Sequence, residues 1–259
     1  GLRLPLTLRG CETSPRVAPL AGRSPQRSPA SRCRPLYRPS VSLILQKSCL
    51  TAASGFNYDA DLHGATNPKS PTALTNSEDT DKALANRGFS VNRSRVLVGS
   101  GADAFRHAKS ALLSWKHLAL GWAEAEPGTP VKPGARFCIC YKEVVPWVMF
   151  PLQIAYVTDD DCNGGKRGKG GDGGVFAFGS GTLQGHLLAG EERFSVEVDA
   201  EERVWYEVVS FSKPAHPLSA LCYPYVRLRQ RHFARESGKA VLRHVAAAAC
   251  SSTTPPPMQ

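Results

Sequence analysis

The sequence predicts an α+β fold. A curved antiparallel β-sheet packs against a long C-terminal helix in a helix-grip-like manner, and a further amphipathic helix follows the first strand. Three observations predict it. Apolar residues recur at alternate positions through most of 135–212, the period of half-buried strands. The connections between these runs are mostly short, which suits an antiparallel meander. The stretch after Pro217 is one long amphipathic run, and a sheet with an apolar face needs such a cover.

The elements follow in order. Residues 54–93 are polar and broken by Asn67-Pro68 and Ser70-Pro71, a loop-rich lead-in. Arg95 to Val98 read as a short strand. Ser100 is expected to start a helix, with Asp103 as its capping-box partner. Phe105, Ala108, Leu112, Trp115, Ala119 and Trp122 then form one apolar stripe, enough for about five turns. Gly121 and Pro127-Gly128 end it.

From Ala135 the period becomes two. Phe137, Ile139 and Tyr141 mark one strand. Trp147 to Val157 mark a second, which Pro146 and Pro151 bend or place at an edge. Seven glycines between Gly164 and Gly174 make a flexible hairpin connection. Strands resume at 175–180, 193–198 and 204–212, giving about six in all. Pro214 and Pro217 close the sheet. The final helix is expected from Leu218 to Val245. Leu218, Leu221, Tyr225, Leu228 and His232 form its apolar stripe, continued by Phe233, Val241 and Val245. Arg227, Arg229, Arg231, Arg235, Lys239 and Arg243 form its basic face, against Glu236.

Domain organisation follows from composition. Hydrophobic residues are 42% of 259 and charged residues 21%, so a sizeable core forms and global disorder is excluded. The net charge is +10, of which residues 1–53 carry +8 and the remaining 206 residues only +2. A nearly neutral body argues against a nucleic-acid partner, which needs basic residues on the folded face. No apolar run approaches the roughly 18 residues of a membrane-spanning helix. Residues 1–53 read as a disordered Arg-, Ser- and Pro-rich leader. Either it is an organelle transit peptide or it is a translated leader without function. Residues 54–246 form one domain, and 247–259 a disordered tail.

The eight cysteines suggest no disulfide framework in so long a chain without a secretory signal. Cys138 and Cys140 share one strand face and read as structural thiols; a metal would need a partner such as His186. No metal and no cofactor is expected. Val96 to Ala104 imitates a dinucleotide fingerprint, strand then GxGxxA then helix. No second parallel strand ending in an acid follows, so the glycines serve the turn into the helix. The lysines among the 164–174 glycines lack the phosphate-loop pattern and a following helix.

Gly179 to Glu192 is the most unusual segment. Its glycines permit close backbone approach and bring Ser180, Thr182, His186, Glu191 and Glu192 into one neighbourhood. As structure this is a bulged strand and turn. As chemistry, His186 with Glu191 or Glu192 is the candidate acid-base pair. A sheet gripping a helix also leaves a cavity. Trp147, Phe150, Phe178, Trp205, Tyr206, Tyr223 and Tyr225 are the candidates to line it, or else fill the core.

Several motifs resemble one family. Gly55-Phe56-Asn57-Tyr58-Asp59, Arg95 to Gly99, Trp115-Lys116-His117, Phe137 to Val157, Gly179 to Glu192, and Val204 to Glu207 through Phe211 to His216 and on to Arg235 are similar to the plant branch of the domain of unknown function 1990 family. The resemblance spans about residues 55 to 246 and brings no catalytic residues with it. It implies a chloroplast location at or near the outer envelope and a cation-selective pore; the cytosol is the alternative location. About six strands fall short of even an eight-stranded barrel, so one copy closes no pore. Attachment to a membrane surface through the basic final helix is easier.

The sequence reading therefore carries three functions. The first is a non-enzymatic domain that binds a hydrophobic small molecule or lipid near the plastid envelope. The second is the envelope cation pore. The third is an acid-base enzyme built on His186.

Overall fold

The computed structural model describes residues 43–70, 74, 77–126, 128–142, 147–160 and 174–252. The glycine-rich connection and most of the leader lie outside them. The chain orders itself as α1 (Leu43–Ala52), α2 (Glu78–Asn86), β1 (Ser90–Ser100), α3 (Gly101–Leu113), β2 (Ala123–Ala125), β3 (Arg136–Lys142), β4 (Trp147–Asp160), β5 (Val175–Thr182), β6 (Leu188–Val198), β7 (Arg203–Pro214), α4 (Pro217–Leu221) and α5 (Tyr223–Ser252). The seven strands make one curled sheet in the order β1-β7-β6-β5-β4-β3-β2, antiparallel at every step.

Parity along the strands sorts the sheet into two faces. The inner face carries Phe137, Ile139, Leu152, Ile154, Phe176, Phe178, Phe194, Val196, Val204, Tyr206 and Val208, packed with α3 and α5 into the main core. β4 keeps this alternation only by a register shift between Ile154 and Tyr156. After that bulge Tyr156 and Thr158 turn outward and Val157 turns inward. The strand lies between β3 and β5 despite Pro151, so it is not an edge.

The outer face is also covered. Tyr58, Leu62, Ala65, Leu84, Phe89, Ala189 and Phe211 form a second apolar cluster beneath the lead-in and α2. Close packing there requires glycine in β5. A Cβ at Gly179 would meet the Tyr156 ring, and one at Gly181 the Tyr58 hydroxyl and the Phe56 ring.

Five expectations are corrected. First, α3 ends at Leu113 because Trp115 adopts a left-handed backbone (φ 57). Its indole donates to the Thr129 carbonyl at 2.8 Å, so the stripe through Ala119 and Trp122 is not helical. The Ser100 side chain caps nothing, and Asp103 pairs with Arg106 instead of completing a capping box.

Second, the final helix is two helices. Pro224 has no N–H to continue the α4 ladder, and α5 restarts at Tyr223. Third, the helix buries only the later part of the expected stripe, with Ala234 and Ser237 added. Phe233, Ala234, Ser237, Val241 and Val245 face the core, whereas Leu218 (55%), Leu221 (81%), Tyr225 (45%) and Leu228 (63%) are exposed.

Fourth, the lead-in is not mere loop and the leader is not wholly unstructured. α2 forms with Ser77 accepting from the Thr80 amide, and α1 lies inside the leader, packed on β3 and β4. Fifth, α5 continues through Ser252 into the expected tail; 253–259 lie outside the described residues.

Candidate functional site

The curled sheet and the N-terminal half of α5 enclose a cavity of about 430 Å³. Strand alternation builds its floor. Ile139 and Tyr141 of β3, Val148, Phe150 and Leu152 of β4, Ser180 and Thr182 of β5, Glu192 of β6, and Ser210 and Ser212 of β7 line it. Val226, Arg229, Gln230 and Phe233 of α5 form the roof, with Leu218 and Tyr225 at the exposed margin. Trp122 closes one side, stacked on His232 at 5.3 Å. The Arg229 guanidinium lies 4.3 Å over the Trp122 ring. A charged group so placed presents an apolar flank rather than a free charge.

The walls are largely apolar, and the polar groups on the floor fall in one row. Ser180 pairs in register with Glu192, and Glu192 with Ser210. All three have inward parity, so they cross β5, β6 and β7 side by side. Glu192 has no hydrogen bond among the described residues, and burial raises its pKa to about 8. Ser212 is engaged, accepting from the Gln230 amide at 2.9 Å.

The two neighbouring glutamates face opposite ways. The Glu191 carboxylate points to the outer face. There it accepts from the Tyr58 hydroxyl at 2.8 Å, the Gly64 amide at 2.7 Å, the Thr66 amide at 3.0 Å and the Thr66 hydroxyl at 2.5 Å. Four donors make it a structural anchor for the lead-in. His186 reaches the cavity, where its ring lies 4.7 Å from that of Phe150. Its Nδ1 accepts from the Leu188 amide at 2.9 Å, which leaves the proton of the neutral ring on Nε2. Burial holds its pKa down to about 4. Among the described residues no hydrogen bond joins His186 to Glu191 or Glu192, so the acid-base pair is not assembled.

Of the predicted aromatic lining, Phe150 and Tyr225 stand at the cavity. Phe178 and Tyr206 are buried in the main core, and Tyr206 shares a 2.5 Å hydrogen bond with Ser237. Trp205 donates to Asp199 at 2.8 Å and lies against Arg95 and Arg203. Tyr223 donates to the Ser212 carbonyl at 3.0 Å. The Trp147 side chain lies outside the described residues. Sequence reasoning grouped Ser180 with His186 and the two glutamates, but missed Trp122, which it placed on a helix, and the β7 floor serines Ser210 and Ser212. The signal for Ser210 was present: it shares parity with Val204, Tyr206 and Val208, a polar residue on a core-facing row.

Cys138 and Cys140 lie buried on the outer face under α1. Cys138 is hydrogen-bonded to Cys49, and no group of three or more metal-ligating side chains occurs among the described residues.

A curled antiparallel sheet closed by a terminal helix over an apolar chamber is the helix-grip arrangement. The chain belongs to the family described as a domain of unknown function (DUF1990), whose model matches residues 74–240. It is 50% identical over 200 residues to a UPF0548 protein of Arabidopsis thaliana, covering 77% of this chain and 92% of that one. A UPF0548 protein of Dictyostelium discoideum is 33% identical over 165 residues, covering 61% and 73% respectively. Among solved structures, the Zhui aromatase/cyclase from Streptomyces is 11% identical, with a TM-score of 0.43 over 64% of this chain and 99% of that one.

Proposed function

We propose that this protein is a non-enzymatic binding domain for a hydrophobic or amphipathic small molecule. The observation that carries it is the cavity. Its volume of about 430 Å³ falls within the range of small-molecule sites, roughly 300–1,000 Å³. Apolar walls supply the affinity, and a few polar groups orient the guest. An enzymatic reading has less support, since the Glu191 carboxylate and His186 Nδ1 are committed elsewhere.

The test is saturable binding with a plugged control. An apolar fluorophore such as 6-propionyl-2-dimethylaminonaphthalene should bind one to one. Leu152→Trp, which fills the floor, should abolish binding while leaving the circular dichroism spectrum intact. Equal binding by the plugged variant places the dye elsewhere and removes the reading.

We also propose that the guest is exchanged at an anionic lipid surface, with the plastid envelope as the site. The supporting observation is the exposed set Leu218, Leu221 and Leu228 beside the cavity margin, together with exposed Arg227, Arg231 and Arg235. Exposed leucines and arginines along α4 and the start of α5 suit an interfacial position. Among the described residues no helix is long and apolar enough to cross a membrane. Flotation with phosphatidylglycerol vesicles, but not with neutral ones, should be lost in Leu221→Ser/Leu228→Ser. The pore has weaker support, because the concave face is apolar and packed beneath α5, where a water-filled lumen is polar.

A further inference from the structure

We propose that Ser180, Glu192 and Ser210 form a recognition strip on the cavity floor, and that it selects a guest bearing a carbonyl or hydroxyl oxygen on an otherwise apolar body. This rests on the reading of the cavity as a ligand site and assigns the chemistry of its occupant.

The argument starts from a contrast between neighbours. A polar side chain on an apolar pocket floor gains when a guest supplies its hydrogen bond. Glu191, one residue away, has four donors; Glu192 has none among the described residues and faces apolar walls. Its neighbours in register, Ser180 and Ser210, are almost fully buried, and neither has a side-chain hydrogen bond among the described residues. Strand spacing sets adjacent members of the row about 4.8 Å apart. Three unspent polar side chains in line on an apolar floor fit one polar edge of a flat guest.

The protonation state decides which group that edge carries. Burial raises the Glu192 pKa to about 8, so near neutrality the carboxyl is uncharged and offers an O–H. The serines offer two more. Such a strip donates, and its complement is an acceptor oxygen. The other ionisable groups at or against the cavity are Glu191, His186, Arg229, Tyr141, Tyr225, Cys222 and Tyr206; the Glu191 carboxylate is held by Tyr58, Gly64 and Thr66 on the outer face. His186 stays neutral, its pKa held at about 4. Arg229 is stacked on Trp122.

The test compares naphthalene guests with and without a carbonyl. 6-Propionyl-2-dimethylaminonaphthalene carries a carbonyl, and its emission shifts red when that oxygen accepts a hydrogen bond; 2-ethylnaphthalene has no oxygen. Glu192→Leu should weaken the ketone by about tenfold or more and shift its bound emission to the blue. The same variant should bind the hydrocarbon at least as well as wild type. Glu192→Gln, which keeps a donor, should retain the ketone. In wild type, ketone affinity should fall as pH rises through about 8, and Glu192→Gln should remove that dependence. Ser180→Ala and Ser210→Ala give smaller losses of the same kind and serve if Glu192→Leu does not fold. Unchanged discrimination in all these variants overturns the proposal alone, as does tighter binding of a 2-aminoethylnaphthalene. Failure of every probe to bind wild type overturns the cavity reading beneath it.

Discussion

Tyr58 donates its hydroxyl hydrogen to Oε2 of Glu191 at 2.8 Å, joining the lead-in to the outside of β6 across 133 residues of chain. Together with Gly64 and Thr66 it converts a glutamate beside the cavity into part of the outer wall. Glu191→Ala leaves these buried donors unpaired. It should lower stability by about 3–4 kcal/mol, read as a shift in the urea midpoint at constant slope. Binding of the apolar dye should change by no more than about twofold, since the carboxylate lies across the sheet from the guest. A stable variant that has lost the dye would instead make Glu191 a cavity residue.

His117 gives a pH prediction. It is fully buried among Trp115, Phe178 and Phe194, and among the described residues neither ring nitrogen makes a full hydrogen bond. Burial pulls its pKa down to about 3, and the Ala111 carbonyl opposes this only weakly. The unfolded chain therefore takes up a proton below about 6.5 that the folded chain refuses. Stability conferred by the neutral ring is complete above pH 6.5 and lost as pH falls toward 3. His117→Leu should flatten that limb by up to about 1.4 kcal/mol per pH unit. Parallel wild-type and variant curves between pH 6 and 4 would show that the ring is hydrated or paired.

The sheet was legible because the inward rows are mostly apolar at every second residue, as in Phe137, Ile139 and Tyr141. Helix boundaries were not, because periodicity records spacing and not backbone conformation. Trp115 keeps the helical spacing while its left-handed backbone ends the helix. Leu218, Leu221, Tyr225 and Leu228 also keep it, on a turn that α4 and Pro224 rotate out of the core. Alternation alone separates Glu191 from Glu192. The opposite roles of the two carboxylates became visible only with the lead-in laid on the outer face, and nothing in the sequence placed it there.

The cysteines divide by environment. Cys138 and Cys140 are buried beneath α1; burial and the adjacent Cys49 thiol raise the first, and burial, then Glu124, raises the second to about 11. Thiolate is the reactive form. At pH 7.5 iodoacetamide should alkylate the exposed Cys222 and Cys250 at least tenfold faster than either buried thiol, a rough factor that follows from thiolate fraction and access. Peptide mass mapping over time reads this directly. Early labelling of Cys138 would mean that α1 leaves the sheet in solution.

The grip of the helix on the first strand turns on Gly238. A methyl group there would sit 2.8 Å from Cγ2 of Val96 and 3.7 Å from Cδ1 of Tyr206. Alanine gains about 1 kcal/mol of helix propensity over glycine, but Val96 is β-branched and has little rotamer freedom to yield. Overpacking of this kind costs about 1–3 kcal/mol, so Gly238→Ala should be neutral to destabilising and Gly238→Val clearly destabilising. Val96→Ala in the Gly238→Ala background removes the clash, and the double variant should be more stable than the sum of the single changes by about 1 kcal/mol or more. Additivity within about 0.5 kcal/mol would mean that helix and strand stand farther apart than this contact requires, and the cavity roof would then be loosely held as well.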